Sequence, residues 1–209
     1  GECHEAKRAA APGLTGDGGH FALPLRPLSD HERESEVTSV TRKTGRSGPL
    51  GFVTLTHRLR QQGTLCVTEV QDLVYREEAP AAAEPGRPPR PPDPAPEQAD
   101  KTRRHRATTT QLFRYSALTF NGHRIHYDLD YARSVEGYDG LVVHGPLLAQ
   151  HLLDLGTEML GSVTRFRFRA LAPVIHDQPF EARGRKTDEG ADLWIARGDG
   201  ALAMRATAT

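Results

Sequence analysis

The sequence predicts an α+β fold in which an antiparallel sheet wraps around one long helix. Three observations carry that expectation. A run opening at Gly145-Pro146 repeats apolar residues at helical spacing, the segments after it alternate apolar and polar residues, and short Gly-containing turns join those segments. Ahead of them, Ala79–Asp100 holds eight of the fifteen prolines. Such a stretch favours an extended, solvated spacer without a core.

Taken in order, residues 1–34 read as irregular and offer no amphipathic helix. Residues 35–78 read as strands only: "SEVTSVTRK", "GPLGFVTLTHRLR" and "TLCVTEVQDLVYRE" carry β-branched alternation, separated by "GRSG" and "QQG". Three strands without a helix leave one face of their meander uncovered. The spacer is expected over 79–104. From 105 to 209 the chain is better furnished. "TTQLFRYSALTF" (109–120) reads as a strand running into a loop, and "RIHYDLDYAR" (124–133) as a short helix. Gly145-Pro146 opens the long helix, with proline at its tolerated first position. Leu148, His151, Leu152, Leu155 and Met159 form its apolar stripe, and Gly161 is its stop. "VTRFRFRAL" then places Phe166, Phe168 and Ala170 on one face and Arg165, Arg167 and Arg169 on the other. "PFEARGRKT", "ADLWIAR" and "ALAMRAT" follow as strands.

Composition excludes several functions. Lys+Arg and Asp+Glu balance at 27 each, against the excess positive charge that a nucleic-acid or membrane-surface protein needs. No apolar run approaches the ~20 residues that span a bilayer. Two cysteines, Cys3 and Cys66, are too few for a disulfide framework. The beginning lacks a starting Met and an apolar signal core, so secretion is unsupported and a cytoplasmic setting is expected.

The densest polar stretch is "LTFNGHRIHYD", Leu118 to Asp128, followed by "EGYDGLVVHGPLLAQHLLDL". Read from the residues alone, His123, His126 and His144 could be an acid/base group, a three-His zinc site or polar loop residues. The two stretches together resemble the MaoC-like, R-specific enoyl-thioester hydratase and dehydratase family. Within it they are most similar to the branch of 3-methylfumaryl-CoA (mesaconyl-C4-CoA) hydratase and 3-hydroxyacyl-thioester dehydratase. "FRFRALAPVIHDQPFEARGR" and "LWIARGDGALAMRATA" extend the likeness to the end, and 35–78 is similar to the later part of that branch's N-terminal repeat.

The resemblance implies a double hot-dog fold with an incomplete N-terminal repeat and the catalytic domain at 105–209. It implies a hydro-lyase that adds water to, or removes it from, an acyl-CoA or acyl-carrier-protein thioester without a metal or cofactor. The family motif is roughly Ser-Gly-Asp-x-Asn-Pro-Leu/Ile-His. Here Asn121 stands at its Asp, His123 at its Asn, and His126 is kept. His126 and Asn121 are thus the expected catalytic pair. Gly145 is expected to offer backbone N–H groups to the enolate oxygen. His144, His123, Tyr138 and Arg124 are the expected substrate contacts, and a homodimer the expected assembly. Glu136 and Asp139 are carboxylates near the motif in sequence. A hot-dog thioesterase and a non-catalytic acyl-thioester-binding fragment are the rival readings. The Arg165–Arg167–Arg169 row reads as a solvated sheet face, or one that meets phosphates or another subunit.

Overall fold

A computed structural model describes residues 15–21, 30–45, 48–76 and 92–209. The rest of the stretch expected to be irregular (1–14 and 22–29) and most of the spacer (77–91) lie outside the described residues. Among the described residues nine strands form a single antiparallel sheet: β1 (Thr15–Phe21), β2 (His31–Gly45), β3 (Gly48–Gln61), β4 (Thr64–Arg76), β5 (Lys101–Arg106), β6 (Arg165–Ala170), β7 (Pro179–Thr187), β8 (Gly190–Arg197) and β9 (Leu202–Ala208). Their spatial order is β2-β3-β4-β1-β6-β9-β8-β7-β5. The described residues also form three α-helices: α1 (Thr109–Thr119), α2 (Leu129–Ser134) and α3 (Gly145–Leu160).

The long helix forms as its stripe predicts. Leu148, Leu152, Leu155 and Met159 are buried against β7, β8 and β9. Gly156 has a packing reason to be glycine. A Cβ there would lie 3.0 Å from the Leu193 side chain and 3.2 Å from the Ala208 Cβ, so its absence lets α3 approach the sheet. Gly161 ends the helix at φ 83°, a left-handed conformation that glycine adopts without cost. In β6 the alternation sorts as expected, with Phe166 buried and Arg165, Arg167 and Arg169 exposed. Residues 92–100 cross the opposite face of the sheet, where Ala95 and Ala99 pack on Trp194, Ala196 and Leu202.

Four expectations are corrected. Thr109–Thr119 is a helix, not a strand running into a loop. Thr108 caps it, accepting from the Gln111 backbone N–H at 3.2 Å, and Phe120 closes it at φ 53°. Its Phe- and Tyr-containing sequence looks β-like because only Leu112 and Ser116 are fully buried, with Tyr115 packed partly against the core, too narrow a stripe to register as helical periodicity. Residues 124–133 are not one helix but a 3-10 turn at Arg124–His126 followed by α2. β1 falls within the stretch expected to be irregular and bridges β4 to β6. Its "TGDGGHF" carries three glycines, and glycine lacks the side chains that signal a strand. Finally, the last residues assigned to the spacer begin β5, which pairs with β7.

Candidate active site

His126 lies at the end of the 3-10 turn that the Asn121–His123 loop leads into. The Asn121 Oδ1 accepts from the His123 backbone N–H (3.0 Å), and the Asn121 N–H donates to the Ser116 carbonyl of α1 (2.9 Å). This tight Asx turn anchors the polar stretch to α1 and leaves the Asn121 Nδ2 for a ligand. The chain returns through Val142 and Val143, whose N–H groups donate to the carbonyls of Ile125 and Val174. The Val142 carbonyl in turn lies 2.7 Å from the His126 Nδ1. A carbonyl only accepts, so Nδ1 carries the proton and Nε2 is left with its lone pair. Burial pushes the His126 pKa down to about 4, opposed by that hydrogen bond, so the ring is neutral at pH 7 and can act as a base.

His144 precedes α3 and has no exposed surface. Its ring stacks on that of His126, with centroids 3.7 Å apart and planes 17° from parallel. Its Nε2 is 2.8 Å from the Ser116 Oγ, while Nδ1 is buried without a partner. Burial, then the neighbouring His126, push its pKa down to about 3. His144 therefore floors the His126 ring as a flat neutral surface fixed from behind by α1. Face-to-face stacking also keeps the in-plane lone pairs of the two rings from converging on one ion. Among the described residues no group of three or more His, Cys, Asp or Glu is arranged to hold a metal.

A cavity of about 450 Å³ opens beside this pair. Asn121, His123, His126, Tyr138 and Gly145 all line it, together with Leu148, Val142 and the turn 170–174. Gly145 is the first residue of α3, where backbone N–H groups lack helical partners and the helix dipole is positive. Of the other expected contacts, His144 lies beneath the lining. Arg124 stands outside it, paired with Asp128 at 2.6 Å and packed over the Tyr131 ring. Glu136 and Asp139 stay outside the lining too. Glu136 accepts from the Tyr131 hydroxyl.

Besides apolar wall residues, one polar lining residue was missed. Gln71 comes from β4, in the N-terminal half of the sheet, and nothing in its alternating strand marks it out in sequence. Ser116 was missed with α1. The capping pattern Thr108-Thr109-Thr110-Gln111 was the available signal for that helix.

With this geometry in view, comparison with known proteins is informative. The family description "hydroxyacyl-thioester dehydratase type 2" matches residues 15–176. The chain belongs to this family. It is 44% identical over 195 residues to the mesaconyl-C(4)-CoA hydratase of Chloroflexus aurantiacus, covering 90% of this chain and 66% of that protein. It is 39% identical over 94 residues to the mitochondrial hydroxyacyl-thioester dehydratase type 2 of Schizosaccharomyces pombe, covering 43% of this chain and 30% of that one. The chain thus spans just under two thirds of the first relative and a smaller part of the second. Among solved structures, a MaoC-like dehydratase from Phytophthora capsici superposes with a TM-score of 0.73 over 99% of this chain and 74% of its own, at 14% identity. A double hot-dog protein of Mycobacterium tuberculosis superposes with a TM-score of 0.62 over 97% of this chain and 76% of its own, at 15% identity. The fold of this family member is accordingly the α+β hot-dog fold.

Proposed function

We propose that this chain is a hydro-lyase acting on an acyl thioester, carried on CoA or an acyl-carrier protein, and that His126 is its base. One observation carries the reading: the ring of His126 is held by the Val142 carbonyl, with its free Nε2 beside a cavity that ends on the first turn of α3. In hydration, the enoyl thioester seats its carbonyl oxygen against the N–H groups near Gly145. The His126 Nε2 takes a proton from a water oriented by the Asn121 amide, and hydroxide adds at the β-carbon. The imidazolium then returns the proton to the α-carbon of the enolate. Dehydration is the reverse. His123, Tyr138 and Gln71 contact the acyl chain, and His144 orients the base.

The likeness to a mesaconyl-C(4)-CoA hydratase supports a CoA ester as substrate. The two-repeat division, with β1 to β4 and β5 to β9 as its strand-bearing parts, is supported by the continuous sheet. A homodimer is supported by apolar surface on α1, where Phe113 and Leu118 are exposed. A reducing, cytoplasmic setting fits the free thiol of Cys66. Among the described residues no helix is long and apolar enough to cross a membrane.

The deciding experiment follows the absorbance of crotonyl-, mesaconyl- and itaconyl-CoA with the purified chain while free thiol is assayed in parallel. Loss of enoyl absorbance without thiol release is the expected outcome. Thiol release, or no turnover of any ester, overturns the reading.

A further inference from the structure

The opposite face of the sheet carries a second concavity, a trough of about 790 Å³ that the mechanism does not use. Strand register determines its lining. Arg169 of β6 is the direct cross-strand partner of Arg205 of β9, which is in turn opposite Trp194 of β8. One row along, Arg167 faces Thr207, Asp192 and then Arg185. Phe52, Asp72 and Val74 close the trough from β3 and β4.

Among the described residues four arginines meet two aspartates there, and both aspartates are already engaged. Asp192 pairs with Arg185 at 3.2 Å, and Asp72 accepts from the Thr54 hydroxyl at 2.7 Å. Arg167, Arg169 and Arg205 have no carboxylate partner among the described residues. Like charges directly opposite one another destabilise a sheet, so a bound anion would relieve the Arg169–Arg205 pair. A second, independent sign is Trp194. Its side chain is 3% exposed, it lines the trough, and its indole N–H is buried without an acceptor. A buried donor of that kind is costly unless something accepts from it.

We propose that this trough is a binding site for a polyphosphate ligand of nucleotide size. Arginine forks match phosphate oxygens in bidentate geometry, and several within one concavity favour adjacent phosphates over a single carboxylate. The volume lies in the range of small-molecule clefts rather than of a flat protein–protein face.

Trp194 is the chain's single tryptophan, so its fluorescence reports on the site directly. Inorganic pyrophosphate and ADP titrated into the full chain should each give a saturable change, with matching heat in calorimetry. The affinity should weaken by at least about ten-fold in Arg169→Ala and Arg205→Ala, the loss of charge-assisted hydrogen bonds. Both side chains are exposed, so the variants should keep the wild-type melting temperature, which is checked first. No saturable signal by either method, or unaltered affinity in both variants, overturns the proposal. So does binding of polyglutamate where pyrophosphate and ADP fail. The source of the phosphates is read separately. If the ligand is a free nucleotide, ADP and Arg169→Ala leave the KM for an enoyl-CoA unchanged. If it is the nucleotide part of a CoA ester, ADP competes with substrate and Arg169→Ala raises KM at constant kcat. Only these two KM arms rest on the hydro-lyase reading. An inactive chain that still binds pyrophosphate would sink that reading and keep the site.

Discussion

β2 and β8 are both long antiparallel strands, yet their surroundings differ at every position. Residues 31 to 44 of β2 are exposed throughout, whereas β8 buries Ala191, Leu193, Trp194, Ile195 and Ala196. α3 covers one face of β7, β8 and β9, and residues 92–100 cover the other at Trp194. Over β2, β3 and β4 there is no described helix. Their buried residues are Cys66, Thr56, His57 and Gln61, and three of those four are polar. Strand propensity therefore makes the ladder in both halves, but only a covering layer turns a ladder into a core. Stability should accordingly concentrate in the C-terminal half, while among the described residues the N-terminal half reaches the candidate site through Gln71 alone.

The sharpest test of that contrast sets Leu152→Ala in α3 against Val40→Ala in β2. Leu152 is fully buried, and its truncation should cost about 2–5 kcal/mol in denaturant unfolding. Val40 is 71% exposed, and its truncation should stay within ~0.5 kcal/mol. Comparable losses would overturn the contrast between the two halves.

Next in size is the chemistry. His126→Ala should lower kcat by at least ~100-fold, the low end for general acid/base catalysis, with its melting temperature checked alongside. Near-normal turnover would remove the base. Asn121→Ala should cost less, because in the proposed function Asn121 orients water rather than moving a proton.

Acid should separate the halves as well. Burial depresses His126 to about 4, His144 to about 3 and His151 to about 4, and all three lie in the C-terminal half. Their unfolded pKa is near 6.5, so below that pH the unfolded chain binds protons that the native state refuses. The stability these rings contribute is complete above pH ~6.5 and is lost as pH falls toward 4. The urea midpoint should drop between pH 7 and 5, and kcat/KM should keep an acid limb near 4 rather than 6.5. A midpoint unchanged over that interval would show that the rings are not held neutral.

What could be read in advance follows the same division. α3, the alternation of β6 and the polar stretch around His126 were legible because each has a full periodic or motif signature in contiguous residues. α1 was misread because Phe113, Leu118 and Phe120 are exposed, leaving only Leu112 and Ser116 fully buried and Tyr115 partly so. β1 was hidden by its glycines and β5 by the proline-rich composition before it. The cavity's composition was only half legible. His126 and Asn121 are local to the motif, but Gln71 enters by strand order, since β1 inserts between β4 and β6 and brings the two halves into one sheet.

Gln71 therefore offers the smallest and most discriminating test. Its side chain lines the cavity from β4, and in the proposed function it contacts the acyl chain without touching the protons in transfer. Gln71→Ala should raise KM by about 3- to 10-fold, the worth of one neutral hydrogen bond, and leave kcat nearly unchanged. Glu69 lies two residues earlier on the same face of β4 and is exposed outside the cavity lining, so Glu69→Ala should leave both constants alone. A KM rise in both variants would point to a general loosening of β4. A rise in neither would mean that the N-terminal half supports the sheet without reaching the substrate, whereas a rise in Gln71→Ala alone places one half's side chain in the other half's chemistry.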